Sequence, residues 1–300
     1  MDIKRLAAID IGSNAIRLLI SNVIESDREP LFKKASLIRI PVRLGEDVFE
    51  DRQISERNIV RIEHTMHAFR HIMIVNGVVD YRACATSAMR ESLNGREVIE
   101  RVAKNTGINI EIIDGGHEAD IIFSTHVEQI IEPSAAYLFV DVGGGSTEIT
   151  LLSQGQKSLS RSFDIGTIRI LKNQVKPELW AEMGAWVQEI TQTYPSISII
   201  GSGGNINKIF KMSGKKIGSY MTYRYLRDYL HYLKEFSVED RVRLLDLNID
   251  RADVIVPAAS IYVYVMQKCK AQRIYVPKVG LSDGIVRSIY GRKQKEELVF

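Results

Sequence analysis

The chain has 300 residues, of which 45% are hydrophobic and 26% charged, and its net charge is +3. This composition is typical of a soluble globular protein, and the charge is too small to indicate binding to nucleic acid. The length predicts one or two domains, and two is the better prediction. The two cysteines indicate neither a disulfide framework nor a cysteine zinc site. Without a secretory signal or about 18 consecutive apolar residues, we expect a reduced cytoplasmic protein with no membrane partner.

In chain order, predicted strands alternate with predicted helices. Apolar residues at a spacing of three and four predict an amphipathic helix over residues 56–75. The elements predicted after it are a strand over 81–87, a helix over 97–107 that ends at a glycine, a strand over 108–114, helices over 117–131 and 178–190, a strand over 196–204, helices over 205–212, 224–236, 238–247 and 257–269, and a strand, glycine turn and helix over 273–286. The pattern predicts an α/β protein of two similar halves, with a seam near residues 131–136.

Two stretches have the pattern of a β-hairpin with a polar tip. In LAAIDIGSNAIRLLISNV (residues 6–23) and LFVDVGGGSTEITLL (residues 138–152), an apolar strand leads to an aspartate, small residues follow, and a second β-rich strand leaves. The two aspartates, Asp10 and Asp141, lie too far apart in the chain for a solenoid repeat. We interpret the pair as the mark of a duplicated domain.

The tips have the composition of an anion-binding loop. Glycines let the backbone approach a ligand and take up positive φ angles. Successive N–H groups form a concave nest for an anion, to which Ser and Thr hydroxyls add donors. A phosphate would repel the neighbouring aspartate, whose expected role is therefore to hold a divalent cation or a water. For one loop, a glycine turn with incidental acids is the alternative, but two matched loops favour a binding site.

Five stretches, in this order, resemble motifs of the exopolyphosphatase and guanosine pentaphosphate phosphatase family, within the actin and sugar-kinase superfamily. They are IDIGSNAIRLLI (9–20), VRLGED (42–47), ATSAMRES (85–92), IIDGGHEADIIF (112–123) and FVDVGGGSTEI (139–149), with weaker agreement in FDIGTIRI (163–170), IIGSGGNINKI (199–209) and VGLSDGIV (279–286). The resemblance implies two ribonuclease H-like (actin-like ATPase) domains with an interdomain active-site cleft. We expect them over residues 1–131 and 132–284, with a helix over 285–300 packing back on the first domain.

The resemblance also implies a reaction. It is the Mg²⁺-dependent hydrolysis of the terminal phosphate of inorganic polyphosphate or, as second choice, of guanosine pentaphosphate, by in-line attack of water. Glu118 matches the catalytic base, a role in which a carboxylate contributes roughly 10²–10⁴-fold. The alternative is a first-turn glutamate favoured only by the helix dipole. The family usually has two adjacent acids here, whereas this chain has His117 before Glu118.

The resemblance assigns further residues to metal and phosphate. Asp141 and Glu148 are expected to hold Mg²⁺ from the two arms of the second tip. The expected phosphate-binding residues are Asp10, Gly12, Ser13 and Asn14 of the first tip, Gly143, Gly144, Gly145, Ser146 and Thr147 of the second, and Arg90. A guanidinium fork suits a phosphoryl oxygen, although an arginine capping a helix is the alternative for Arg90. A diffuse basic set would neutralise further phosphates or is merely solvated: Arg17, Lys33, Lys34, Arg39 and Arg43.

Two other functions stay open. One is an ATP-dependent phosphotransferase of the same superfamily, with GSGG (201–204) as its adenosine loop. The other is a non-enzymatic sensor that binds a guanosine polyphosphate. The motif around Glu118 argues against the first, and His117 gives the second some support. The sequence predicts no DNA partner and leaves open whether the chain forms a homodimer.

Overall fold

The computed structural model describes residues 3–26, 29–125, 132 and 134–297, and the chain divides into two compact units. One unit comprises Met1–Thr125 with Leu281–Phe300, and the other comprises His126–Gly280. Each unit contains one mixed β-sheet and several helices, which confirms the predicted α/β class. Among the helices of the described residues, none has the length and apolar character needed to cross a bilayer.

The first unit contains a five-stranded sheet in the order β3-β2-β1-β4-β5. Its strands are β1 (Ile3–Ile11), β2 (Ile16–Ile24), β3 (Leu31–Ile40), β4 (Asp80–Ala85) and β5 (Ile110–Ile112). β1, β2 and β3 form antiparallel pairs, whereas β4 and β5 continue the sheet in parallel. The helices between them are α1 (Leu44–Asp51), α2 (Glu56–Val75), α3 (Ser87–Glu91), α4 (Gly95–Thr106) and α5 (Gly115–Phe123).

The second unit contains a six-stranded sheet in the order β10-β11-β9-β6-β7-β8. Its strands are β6 (Ala136–Val142), β7 (Thr147–Ser153), β8 (Gln156–Phe163), β9 (Ile197–Ser202), β10 (Tyr220–Thr222) and β11 (Arg273–Tyr275). Its helices are α6 (Thr167–Leu171), α7 (Pro177–Thr193), α8 (Gly204–Met212), α9 (Tyr223–Lys234), α10 (Val238–Leu244), α11 (Ile249–Ala252) and α12 (Ile255–Lys268). Apart from the edge strand β10, the strand order repeats that of the first sheet, as expected for a duplicated domain.

The central strand of each sheet is buried along most of its length. Residues Leu6–Ile11 of β1 and all of β6 are buried, which explains why both strands are nearly continuous apolar runs. Asp10 and Asp141 interrupt these runs one residue before each strand ends. A buried carboxylate is costly unless a partner compensates its charge, so both positions require an explanation from their neighbours.

Most helices predicted from apolar periodicity are present, and the differences lie at their ends. α4 ends as predicted, with Gly107 in the left-handed C-cap conformation (φ 73). The strand predicted over 108–114 is reduced to Ile110–Ile112. The helix predicted to begin at residue 117 begins at Gly115, because the side chain of Asp114 caps it by accepting the N–H of His117 at 2.8 Å. Its predicted end falls on residues 126–131, outside the described residues.

The last helix, α13 (Leu281–Glu297), belongs to the first unit, where it packs on β1, β4 and α5. Gly284 makes the contact with α5 so close that a Cβ there would lie 2.0 Å from the carbonyl oxygen of Ile121. On the β4 side, Arg82 donates a hydrogen bond to Ser288 Oγ at 3.0 Å. The end of the chain therefore fixes the position of α5, the helix that carries Glu118.

We expect Gly284→Ala to lower the free energy of unfolding by about 1–3 kcal/mol, because the added methyl group overlaps the backbone of Ile121. Gly291→Ala in the same helix is the matched control, since a Cβ there meets nothing within 4 Å. The control should gain about 0.5–1 kcal/mol from helix propensity alone. Urea denaturation followed by circular dichroism measures both changes, and equal effects would contradict the close α5–α13 contact.

Candidate functional site

Each unit has the same hairpin tip between its first two strands. In the first unit, the N–H of Gly12 donates to the carbonyl oxygen of Ala15 at 3.1 Å. In the second, the N–H of Gly143 donates to the carbonyl oxygen of Ser146 at 2.9 Å. The sequence similarity between the two stretches therefore corresponds to one backbone turn used twice.

The segment that follows the third strand of each unit donates backbone hydrogen bonds to the tip. The N–H of Gly45, in α1, donates to the carbonyl oxygen of Ser13 at 2.8 Å, and the N–H of Ile168, in α6, donates to that of Gly144 at 2.8 Å. Gly166, just before α6, allows this approach, because a Cβ there would lie 2.3 Å from the oxygen of Gly144. VRLGED and FDIGTIRI are thus equivalent backbone supports for the two tips.

Among the tip glycines, Gly143 is favoured by limited space and not by a left-handed backbone. Neither Gly12 nor Gly143 has a positive φ, so the prediction of positive φ angles is wrong at these positions. A Cβ at Gly143 would lie only 3.1 Å from the carbonyl oxygen of Ser146. The left-handed glycine of this region is Gly203, with φ 106, where a Cβ would lie 3.3 Å from Asp141 Oδ1.

Asp10 is neutralised by a cation from its own hairpin. Arg17 is its direct partner across β1 and β2, and the guanidinium donates to Asp10 Oδ2 at 2.6 Å. The Asp10 side chain is 4% exposed and that of Arg17 is 32% exposed. With its acid already paired, this tip is suited to an anion. From the sequence, Arg17 is only one member of a diffuse basic set, and its pairing with Asp10 is not predicted.

At the position equivalent to Arg17, the second hairpin has a second acid, Glu148. Asp141 and Glu148 are direct partners across β6 and β7, and carboxylate oxygens of the two lie within 4.8 Å of each other. Both residues are buried. Glu148 Oε1 accepts hydrogen bonds from the hydroxyls of Ser146 at 2.6 Å and Ser162 at 2.9 Å. Ser162 was not predicted, because its role depends on the β7–β8 pairing.

The pair of opposed carboxylates has the chemistry of a site for a divalent cation. Like charges directly opposite across two strands are destabilising, and burial strengthens their repulsion. A proton or a cation removes this cost, and hard divalent ions prefer carboxylate oxygens as ligands. The residues of the second tip therefore fit a bound divalent cation.

The strands beside this pair are joined by a buried tyrosine. The hydroxyl of Tyr262, on α12, contacts the carbonyl oxygen of Val140 on β6 at 3.2 Å and that of Ser202 on β9. Burial raises the pKa of Tyr262 well above its usual value, and the negative charge of Asp141 raises it further. The hydroxyl therefore keeps its proton and holds the ends of β6 and β9 together.

Glu118 lies in the first turn of α5, whose start is fixed by local bonds. Asp114 caps the helix, and its bond from the His117 N–H lowers the pKa of the Asp114 carboxyl. Glu118 is buried and His117 is exposed. Arg90 is fixed beside this helix start, because its guanidinium donates to the carbonyl oxygen of Ile113 at 2.8 Å. One of its five donors is thus used within the unit.

Other predicted residues are engaged inside their own units. The hydroxyls of Ser13 and Ser87 lie 2.8 Å apart, and the hydroxyl of Thr147 donates to the carbonyl oxygen of Ile165 at 2.5 Å. Two members of the basic set form separate ion pairs: Lys34 with Asp283 at 2.8 Å and Arg43 with Glu46 at 2.6 Å. Cys84 lies within β4, and burial raises the pKa of its thiol to about 12, so it is inert packing.

Comparison with known proteins shows the family and the fold of this chain. A model of the Ppx/GppA phosphatase family matches residues 23–293. The chain is 24% identical to Exopolyphosphatase 1 of Mycobacterium tuberculosis over 304 residues, covering 94% of this chain and 87% of that protein. Among solved structures, it is similar to an exopolyphosphatase from Cytophaga hutchinsonii, with a TM-score of 0.82, 24% identity and coverage of 95% of this chain and 97% of that chain. A second is the Aquifex aeolicus family member, with a TM-score of 0.75, 23% identity and coverage of 97% and 99%.

The duplicated units and these structural likenesses define a protein with the two-domain, actin-like ATPase fold. Because the family model covers most of the chain, the protein belongs to the Ppx/GppA phosphatase family. It is accordingly an enzyme, a hydrolase that acts on phosphoric anhydrides. The predicted family and fold class are confirmed.

The support behind the second tip can be tested with Gly166→Ala. The added methyl group would overlap the carbonyl of Gly144, and we expect a loss of about 1–3 kcal/mol in the free energy of unfolding. Gly12→Ala is the comparison, because its Cβ would lie 3.4 Å from the oxygen of Ala15, an ordinary contact. Chemical denaturation measures both variants. A larger loss for Gly12→Ala would refute this account of the two tips.

Proposed function

We propose that the protein removes the terminal phosphate of inorganic polyphosphate in the presence of Mg²⁺, and that guanosine pentaphosphate is its second substrate. The observation that carries the proposal is the buried pair of opposed carboxylates, Asp141 and Glu148, beside a tip lined by backbone N–H groups. Family membership and relatives named exopolyphosphatases support the choice of substrate. A cytoplasmic location, where these polyanions would be encountered, belongs to the same proposal.

In this proposal Glu118 is the catalytic base. A water attacks the terminal phosphorus, its oxygen forms the new P–O bond, the bridging P–O bond breaks, and Glu118 accepts the proton of the water. Phosphoryl transfer needs mainly positioning and charge neutralisation. Two contacts would position Glu118. They are the hydrogen bond that Asp114 accepts at the start of α5 and the packing of α13 at Gly284. His117 lies outside this step, because it is exposed.

We further propose that the two tips and Arg90 bind phosphates of the substrate. The N–H groups of Gly144 and Gly145 would face the terminal phosphate, and the first tip, whose Asp10 is already paired with Arg17, would also bind phosphate. Mg²⁺ held by Asp141 and Glu148 would neutralise phosphate charge as it develops. Chemistry of this kind uses bound divalent ions together with backbone donors.

Glu118→Gln is expected to lower kcat for long-chain polyphosphate by about 10²–10⁴-fold, because the amide cannot accept the proton of the attacking water. Asp120→Asn, which removes an exposed carboxylate from the same helix, should leave kcat unchanged. The measurement is phosphate release in Mg²⁺ from polyphosphate and, in parallel, from guanosine pentaphosphate. A Glu118→Gln enzyme with a near-normal rate would rule out this base.

The same assay separates the competing functions. Formation of ADP from ATP that depends on an acceptor, without phosphate release from polyphosphate, would show a phosphotransferase. Binding of guanosine pentaphosphate without turnover in the unaltered protein would show a sensor. Either result would overturn the substrate and reaction proposed here.

The cation site can be tested apart from turnover with Ser162→Ala. This change removes one of the two hydroxyls that hold Glu148, and we expect the affinity for Mg²⁺ to fall about 10-fold, as for other residues that orient metal ligands. Ser160→Ala on the same strand is the matched control, because the Ser160 hydroxyl contacts only the hydroxyl of Thr150 among the bonds described, at 2.9 Å. Calorimetric titration with Mg²⁺ measures both, and an unchanged affinity in Ser162→Ala would count against the site.

A further inference from the structure

Three successive carbonyl groups of the second tip are bound by α6. The bonds run from Thr167 N to Gly143 O at 3.1 Å, from Ile168 N to Gly144 O at 2.8 Å, and from Arg169 Nε to Gly145 O at 2.7 Å. Two of the donors belong to the main chain, and the third is a side chain. The orientation of three consecutive peptide groups is therefore set from one side.

A trans peptide group is planar, with its N–H pointing opposite to its C=O. Since the three carbonyls point toward α6, the N–H groups of Gly144, Gly145 and Ser146 point away from it. Within the part of the chain that the structure describes, these three N–H groups donate to no acceptor. Successive N–H groups converging in this way form a nest that binds an anion.

We infer that Arg169 is a positioning residue for this nest, an inference that rests on the proposed function. Its bond to Gly145 fixes the peptide group between Gly145 and Ser146, and thereby keeps the Ser146 N–H directed at the transferred phosphate. The Arg169 side chain is 12% exposed, and its guanidinium lies 4.0 Å from the carboxylate of Asp164. Arginine is suited to this task because it stays charged and donates in a fixed direction.

The matching tip shows what is particular about this arrangement. In the first unit, the carbonyl of Asn14 accepts from the backbone N–H of Arg43 at 3.0 Å, so main-chain donors hold that tip. In the second unit, the equivalent peptide group, between Gly145 and Ser146, is held by a side chain. The second nest can therefore be loosened by one substitution that leaves its own residues unchanged.

The test uses Arg169→Met, which keeps the aliphatic stem and removes the donor. We expect the dissociation constant for tripolyphosphate with Mg²⁺, measured by calorimetry, to rise about 10-fold, as for the loss of a charge-assisted hydrogen bond. KM for long-chain polyphosphate should rise by a similar factor, with a smaller change in kcat. Arg169→Lys, which retains a donor, should restore most of the affinity.

Arg161→Met is the control, because Arg161 pairs with Glu182 at an exposed position of the same unit. Wild-type affinity in Arg169→Met, or an equal loss in Arg161→Met, would overturn the inference. An unaltered protein that binds tripolyphosphate without hydrolysing it would refute the proposed function, while the binding of Arg169→Met would still decide the inference. An unaltered protein that binds no tripolyphosphate would refute both.

Discussion

The electrostatics of the second hairpin follow from two carboxylates that oppose each other on neighbouring strands. Carboxylate oxygens of Asp141 and Glu148 lie within 4.8 Å of each other, so full charges on both would repel by about 3 kcal/mol or more at an effective dielectric constant of about 20. Hydroxyl donors from Ser146 and Ser162 offset part of this cost. In the first hairpin, the equivalent pairing joins an acid to Arg17. The same backbone turn is therefore flanked by an acid paired with an arginine in the first unit and by two acids in the second.

The two tips share the same backbone turn, so the difference in charge between them has consequences. Each tip turns its carbonyls toward the segment after the third strand, and glycine at that point allows the approach. A Cβ at Gly45 would lie 3.1 Å from the Cβ of Ser13, and one at Gly166 would lie 2.3 Å from the carbonyl oxygen of Gly144. Because the peptide groups are fixed, the side chains on the flanking strands determine which ion each tip suits.

The sequence predicted those strands and helices that depend on the pattern of neighbouring residues. Both hairpins and the helix over 56–75 follow from apolar runs and periodicity. β3 and β8 were not predicted, because these strands expose charged and polar residues and lack a clear apolar alternation. Ser162 and Arg169 act through pairing and packing with residues elsewhere in the chain, which spacing does not reveal. The family resemblance identified Asp141 and Glu148 as candidate residues. Their position directly opposite each other follows from strand register, which the resemblance did not show.

The position of Glu118 depends on one contact from nearby in the sequence and on one from a remote helix. Its helix starts where it does because Asp114 caps it, a motif readable within four residues of sequence. The place of that helix on the sheet depends on α13, which returns to the first unit only after the chain has formed the whole of the second. Gly284 leaves no room for a side chain against Ile121, so a larger residue at position 284 would press against α5. The position of the proposed base thus depends on both the Asp114 cap and the packing of α13.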